Sequence, residues 1–543
     1  MLKILFNAKI HSLDPQVQAR EPDAVAIRAG RILALGHGKD LNGEFDGLER
    51  LNGEPVERLD LQRRTLIPGL TDAHIHLEYY ALGLQKVDCE TPTRAECLQR
   101  VSERASSTAP GEWVLGHGWN QNEWPEGFGT AADLDRAAAG RPVYLTAKSL
   151  HASWASSAAL RLAGIGPGTP DPEGGRIGRD GQGRPTGILF ESAMALVERV
   201  IPEPEEQAVE AALRQAQAAL WRMGVTGAHD FDRRRCFMAL QRLHDSGELK
   251  LRVLKNIPLE DLPHAAALGL RTGFGDEWLR IGGVKAFADG ALGPRTAAML
   301  QPYEGSDSDL GMLLLDAEEL YEQGRLAVEN GLSLAVHAIG DRANHEVLNA
   351  YAQLRRYELT LTGAARLRHR IEHVQLIHPD DAGRLSELGV IASMQPVHAL
   401  SDMFTADRHW GKRAALSYAW RTQLARGAAL AFGSDAPVES PNPFLGLHAA
   451  VARRRLDGAP GPQGWYPQEK LALEKALHGY TTGPAYAAGW EESLGRLAPG
   501  YLADLLVLEH DPFQCAPEEL AALQPAATMV GGEWVYAASG LSG

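Results

Sequence analysis

Eight short apolar runs, most of them separated by helical patterns, constrain this chain more than any other feature. Residues 66–77 read as a buried strand with two histidines at its far end, and the break at Pro68-Gly69 marks where the strand starts afresh. Seven further runs follow at 225–229, 251–255, 281–285, 332–337, 369–373, 390–394 and 428–432. Helical patterns lie between most of them, for example at 318–328 and 343–354. Strands alternating with helices predict an α/β fold, a (β/α)8 barrel of the TIM type. An open doubly wound sheet is the alternative. No Gly-x-Gly-x-x-Gly follows an early strand, so its dinucleotide-binding form has no support.

The two chain ends look alike. A hairpin pattern spans 24–28 and 31–36, with Gly30 in its turn, and short apolar strands recur at 503–508, 528–530 and 533–536 around Gly531-Gly532. Neither piece buries a core alone, so both are expected to build one small β-domain. The expected division is 1–67 for the first part of that domain, 68–488 for the barrel and 489–543 for the second part. The gap between the first and second barrel strands is far longer than a loop. It predicts an inserted subdomain at about 90–205. Strands are expected there at 113–116 and 143–145, with a loop at 169–175. The insertion, with its aromatic stretch Trp119 to Trp124, is read as a lid or substrate wall on the catalytic face of the barrel, against a bland reading as a stability insertion whose tryptophans fill its own core.

Composition excludes more than it selects. The 543 residues are 44% hydrophobic and 23% charged, ordinary values for a globular chain. The net charge of −15 argues against nucleic-acid and anionic-membrane partners. No apolar run approaches a spanning helix, and Met1 to Asn7 lacks the apolar core of a signal peptide. Cys89, Cys97, Cys236 and Cys515 are scattered, which predicts neither a disulfide framework nor a thiolate metal site. A cytoplasmic location is expected, with a small-molecule substrate; a homodimer is compatible with the sequence.

The chemistry gathers at strand ends. Residues two apart on a strand share a face, so His74 and His76 project together and make half of a metal site. Lys285 ends the fourth run, His337 the fifth and His373 the sixth, and Asp435 follows the eighth in Gly433-Ser434-Asp435. Each has a bland reading as a hydrogen-bonded, solvated or helix-capping residue. Together they are four imidazoles, one carboxylate and one amine where a barrel carries its active site.

This set resembles the amidohydrolase superfamily, and the whole chain is similar to its YtcJ-like branch, which includes an N-substituted formamide deformylase. The stretches that carry the resemblance are Pro68 to His76, Gly118-Trp119-Asn120-Gln121, Thr169 to Gly175, Gly283 to Gly290, His337 to Asp341, Glu372-His373, Gly433 to Pro437 and Gly495 to Asp504. One departure is visible. The branch has Asp-Gly-His followed by Asn-Ser-Ala-Ala-Leu, where this chain has Ser149-Leu150-His151 and Ser156-Ser157-Ala158-Ala159-Leu160. The resemblance implies a β-sandwich made from both chain ends. It also implies one metal on His74, His76 and Asp435, a second on His337 and His373, and a carboxylated Lys285 bridging them. With Lys285 unmodified, a single metal on His74, His76, one further histidine and Asp435 is the fallback. Two zinc ions suit the ligands, and iron, manganese or nickel fits the same set. The implied reaction is hydrolysis of an amide, N-substituted formamide or cyclic amide by a metal-bound hydroxide, with Asp435 moving the proton. His151, Arg295, His398 and Trp119 are the candidates for holding substrate. The competing readings are an ester or lactone hydrolase, a heterocycle deaminase, and a non-catalytic ligand-binding regulatory protein.

Overall fold

The computed structural model describes residues 1–39, 50–51, 54–121, 124–148 and 151–538. Two compact units emerge, one of 1–80 with 213–543 and one of 81–212.

The first unit contains the barrel. Its strands, labelled here β1 to β8, are Leu70–Ile75, Val225–Asp230, Arg252–Pro258, Leu279–Phe287, Leu334–Ala338, Arg370–His373, Ile391–Met394 and Leu430–Phe432. They form one sheet in chain order, and every neighbouring pair is parallel. A parallel bridge from Ile75 to Ala436 brings the last strand's exit back to the first. All eight predicted runs contain strands; most are nearly continuous apolar segments, as parallel strands covered on both faces are, while the sixth carries Arg370, Glu372 and His373. Helices cover the outside. The helix Ala317–Glu329 begins at Asp316, whose carboxylate accepts from the backbone N–H of Glu318 and Glu319. It buries Leu320, Gly324, Ala327 and Val328, one helical stripe, in the same core as Leu348, Tyr351 and Leu354 of the helix Asp341–Thr362.

Both chain ends do meet. One five-stranded sheet comes from the N-terminal segment alone, and a second combines Lys9–Ile10 and Thr65–Pro68 with Leu505–Leu508, Pro525–Val530 and Glu533–Ala537. Leu5, Val25, Ile27 and Ile32 from the first sheet share a core with Leu66, Leu505, Val507 and Met529 from the second. Pro68-Gly69 separates the strand that ends in this sandwich from β1 of the barrel. Asp504 holds the base of the barrel to this sandwich. It pairs with Arg252 at 2.8 Å and accepts from the N–H of Gly531, while its own carbonyl accepts from Gly69.

The second unit is built on a six-stranded mixed sheet in the order Gly175–Arg179, Pro185–Glu191, Ala152–Ala155, Val143–Ala147, Val114–Trp119, Val87–Asp88. Only two of these six strands are expected from the sequence. The others are short or rich in glycine and polar residues, and such strands carry weak patterns. Trp119, Trp124 and Trp154 lie in this unit's own core, where their indole N–H groups donate to the carbonyls of Leu145, Thr91 and Thr130. Asn122 and Glu123 of the expected wall, and Ser149 and Leu150 of the departure from the branch pattern, fall outside the described residues. Ser156, at the other departure, caps the helix Ser157–Leu162.

Candidate metal centre

The centre is assembled by the seam that closes the barrel. Asp72 on β1 is buried; its Oδ1 accepts from the backbone N–H of His74 (3.1 Å) and Ser434 (3.0 Å), and its Oδ2 from the Ser434 hydroxyl (2.5 Å). Burial pushes the Asp72 carboxyl up to about 7, against these hydrogen bonds. Asp435 N donates to the carbonyl of His74 at 2.7 Å, and His76 N donates to that of Ala436 at 2.9 Å. A Cβ on Gly433 would lie 2.4 Å from His74 N, so only glycine permits this approach. Asp435 itself has φ +61° and His373 φ +76°, left-handed conformations that non-glycine residues hold mainly where surrounding structure enforces them.

This seam sets Asp435 Oδ1 3.5 Å from both His74 Nε2 and His76 Nε2. His373 joins them: ligand atoms of His74, His373 and Asp435 lie within 4.8 Å of one another. His337 packs edge-on against His373 with ring centroids 4.5 Å apart. The other ring nitrogens are engaged. His74 Nδ1–H donates to Glu372 Oε2 (2.6 Å), His76 Nδ1–H to Asp232 Oδ1 (2.9 Å) and His373 Nδ1–H to Gln395 Oε1 (2.8 Å). Carboxylate and amide oxygens only accept, so each Nε2 keeps a lone pair for a cation. His337 is turned the other way, with Nε2–H on the carbonyl of Gly290 (2.8 Å), which leaves Nδ1 as its lone pair.

Electrostatics favours the same reading. Burial holds His74 and His373 well below the ordinary histidine value and His337 down to about 3, so all three stay neutral. His76 is also opposed by burial, but its bond to Asp232 raises it. Lys285 is 5% exposed. Among the described residues its ammonium has no hydrogen-bonded or ion-pair partner and lies over the rings of Phe231 (4.6 Å) and Phe287 (4.8 Å). Burial lowers it to about 8, against the pull of Glu372 and Asp435. Neutral imidazoles, a carboxylate and an easily deprotonated amine form a donor set that fits a divalent metal.

A second cluster, Asp230, Asp232 and Cys236, also brings ligand atoms within 4.8 Å. The Lys255 ammonium already fills it, 2.6 Å from Asp230 Oδ2. Burial raises the Cys236 thiol well above its usual value, so no thiolate is on offer there.

The expected substrate residues separate. His398 lies at the centre: its Nε2 is 4.0 Å from Asp435 Oδ2, has no hydrogen-bond partner among the described residues, and its ring stacks on His373. Arg295 pairs with Asp309 at 2.6 Å and covers the Tyr303 ring. Neither partner is an expected ligand. Trp119, expected to face substrate, is instead 1% exposed and committed to its unit's core. His151 is exposed and pairs with Glu191 at 3.1 Å within the same unit. The supporting residues Asp72, Phe231, Asp232, Arg370 and Gln395 are not singled out by the sequence. Their common signal is position, since each lies within three residues of a barrel strand end or an expected ligand.

Residues 57–536 match the Amidohydrolase family. The chain belongs to this family. As an amidohydrolase with a candidate metal site, it is a metal-dependent hydrolase. It is 34% identical to the Bacillus subtilis (strain 168) protein named "Putative amidohydrolase YtcJ", over 91% of this chain and 93% of that one. It is 30% identical to the N-substituted formamide deformylase of Arthrobacter pascens, over 99% and 98% of the two chains. Among solved structures, an uncharacterized metal-dependent hydrolase from Pyrococcus furiosus superposes with a TM-score of 0.77 at 28% identity, covering 95% of this chain and 100% of that one. Membership of the YtcJ-like branch of the amidohydrolases follows. No helix among the described residues is long and apolar enough to cross a membrane.

Proposed function

We propose that this amidohydrolase hydrolyses a non-peptide C–N bond, of an amide, an N-substituted formamide or a cyclic amide. The observation that carries the reading is the convergence of His74, His76 and His373 on Asp435. His74, His76, His337, His373, Asp435 and a carboxylated Lys285 would hold two divalent metals, zinc by ligand type, with iron, manganese or nickel also suited. When bound, such metals polarise a carbonyl and acidify water to a pKa near 7.

The chain's own groups do the rest. Asp435 Oδ1 faces the two imidazoles, and its Oδ2 faces His398. One carboxylate so placed takes a proton from the attacking water and returns it to the leaving nitrogen. His398, whose Nε2 lies 4.0 Å from Asp435 Oδ2 without a hydrogen-bond partner among the described residues, is the candidate donor to the carbonyl oxygen as charge develops there. Lys285 adds to carbon dioxide as the neutral amine, forming an N–C bond and releasing one proton, and the anionic carbamate replaces a cation that would repel metal. The name of the Arthrobacter pascens relative supports a formamide or amide as the bond cleaved.

A panel of N-formyl amines, cyclic amides, lactones and aminopyrimidines tests this with zinc- or manganese-loaded protein. Turnover is expected on the formamides or amides. Turnover confined to lactones or to aminopyrimidines would replace the reading with esterase or deaminase chemistry. Lys285 adds a pH signature. Because it sits near 8, its neutral fraction grows as pH rises through that value. Activity recovered on adding metal to stripped protein is therefore expected to depend on bicarbonate, and to be fuller at pH 8.5 than at pH 6. Equal recovery in carbonate-free buffer at both pH values would remove the carbamate from the mechanism.

A further inference from the structure

We propose that Lys255, on β3, is a positioning residue of the metal centre: its buried ammonium clamps the Asp230-Phe231-Asp232 segment, and that segment sets His76, His74 and Lys285. This rests on the metal reading above.

Lys255 is 2% exposed, inside the barrel wall. Its ammonium donates to Asp230 Oδ2 (2.6 Å) and to the backbone carbonyl of Asp232, so one group grips both ends of a three-residue segment. Each residue of the segment then touches a different part of the centre. The Asp230 Oδ1 atom accepts from the N–H of Leu77 at 3.0 Å, fixing the residue that follows His76. Asp232 accepts His76 Nδ1–H on Oδ1 (2.9 Å) and the Glu78 N–H on Oδ2 (2.5 Å). Phe231 stacks on His74 with centroids 4.0 Å apart, and its ring receives the Lys285 ammonium at 4.6 Å.

The neighbour of Lys255 extends the frame. Asn256 donates to the carbonyl of Asp230 (3.2 Å) and accepts from the N–H of Gly283 (2.9 Å), tying β2 and β3 to the strand that carries Lys285. A buried ammonium has three N–H groups to satisfy, and where they go decides what it fixes. Here the second bond goes to the carbonyl of Asp232, which fixes the backbone from which the His76 partner projects. Partners of this kind hold a ligand's tautomer and ring plane, and their loss costs about 10- to 100-fold in metal affinity or activity.

Two variants test the clamp. Lys255→Met removes the ammonium but leaves Asp230 buried without its cation, a change that destabilises the fold by itself. The paired variant Asp230→Leu/Lys255→Met replaces both charges by apolar side chains and keeps the test open if the single variant does not fold. Zinc affinity is measured by competition with a chelator of known strength, beside thermal melting of the metal-free protein. Both folded variants are expected to bind zinc about 10- to 100-fold more weakly. A lysine that only stabilises would lower the melting temperature and leave the affinity of the folded protein alone. Wild-type affinity in either folded variant would overturn the proposal. A wild-type protein that takes up no metal would instead overturn the metal reading, and this inference with it.

Discussion

Asp435→Asn is expected to lower hydrolytic turnover by about 10²- to 10⁴-fold, the range contributed by a positioned general base and acid. The substitution is nearly isosteric. Asparagine tolerates the left-handed backbone that Asp435 adopts, and the seam bond from residue 435 N–H to the His74 carbonyl is made by the main chain. Fold and closure should therefore survive, and the histidines keep their lone pairs for metal. What disappears is the anionic oxygen 3.5 Å from His74 and His76, together with its capacity to carry a proton. The paired readout is kcat and metal content of the same preparation. Retained metal with lost turnover identifies catalysis at Asp435. A variant that turns over within a few-fold of wild type would remove Asp435 from the reaction.

Glu372→Leu is expected to be among the most destabilising single changes in the barrel, at about 3–5 kcal/mol. Glu372 is fully buried. It faces Arg370 across Nε–Oε1 (2.5 Å) and Nη2–Oε2 (3.1 Å), and it accepts His74 Nδ1–H at 2.6 Å. Arg370 in turn reaches the carbonyl of Ala73 on β1, His229 on β2 and Ser393 on β7, so this ion pair lies across the barrel interior. Without Glu372 the guanidinium keeps its neutral partners but loses its counter-charge, and His74 loses the acceptor that fixes its tautomer. Urea unfolding of the metal-free protein should show the loss. The double change Arg370→Met/Glu372→Leu should recover much of it, because both charges then go together. A loss below about 1 kcal/mol for Glu372→Leu would mean that the pair carries little of the barrel's stability.

The parts legible in the sequence have a common physical basis. Parallel strands covered on both faces are largely apolar, so most of the eight announce themselves as short apolar runs between helices; the sixth, His369 to His373, has Ile371 as its one apolar residue. A candidate ligand at a strand end breaks such a run with a polar residue, which is why His74, His337, His373 and Asp435 stand out. Residues that support the ligands are harder to see. Arg370 and Glu372 fill a barrel interior that usually holds valine, isoleucine and leucine, and only the fold shows that they meet each other and His74. Asp72 sits between Thr71 and Ala73 on β1, and its partner Ser434 is 362 residues away in sequence. Trp119 misleads for a related reason: a glycine- and asparagine-rich neighbourhood suggests an exposed loop, whereas the bond from its indole to Leu145 belongs to a core. The inserted sheet shows the general limit, since short mixed strands such as Val87–Asp88 and Gly175–Arg179 are defined by their neighbours more than by their own composition.

The centre described here makes the metal indispensable, and one titration decides that most directly. Protein stripped with chelator and verified metal-free by elemental analysis is titrated with zinc or manganese in bicarbonate buffer, while hydrolysis of its best substrate from the panel is followed. Activity should be absent at the start, rise in proportion to added metal and level off at a whole number of equivalents per chain. Full activity in the verified metal-free protein would contradict the assignment of His74, His76, His337, His373 and Asp435 as the reactive centre.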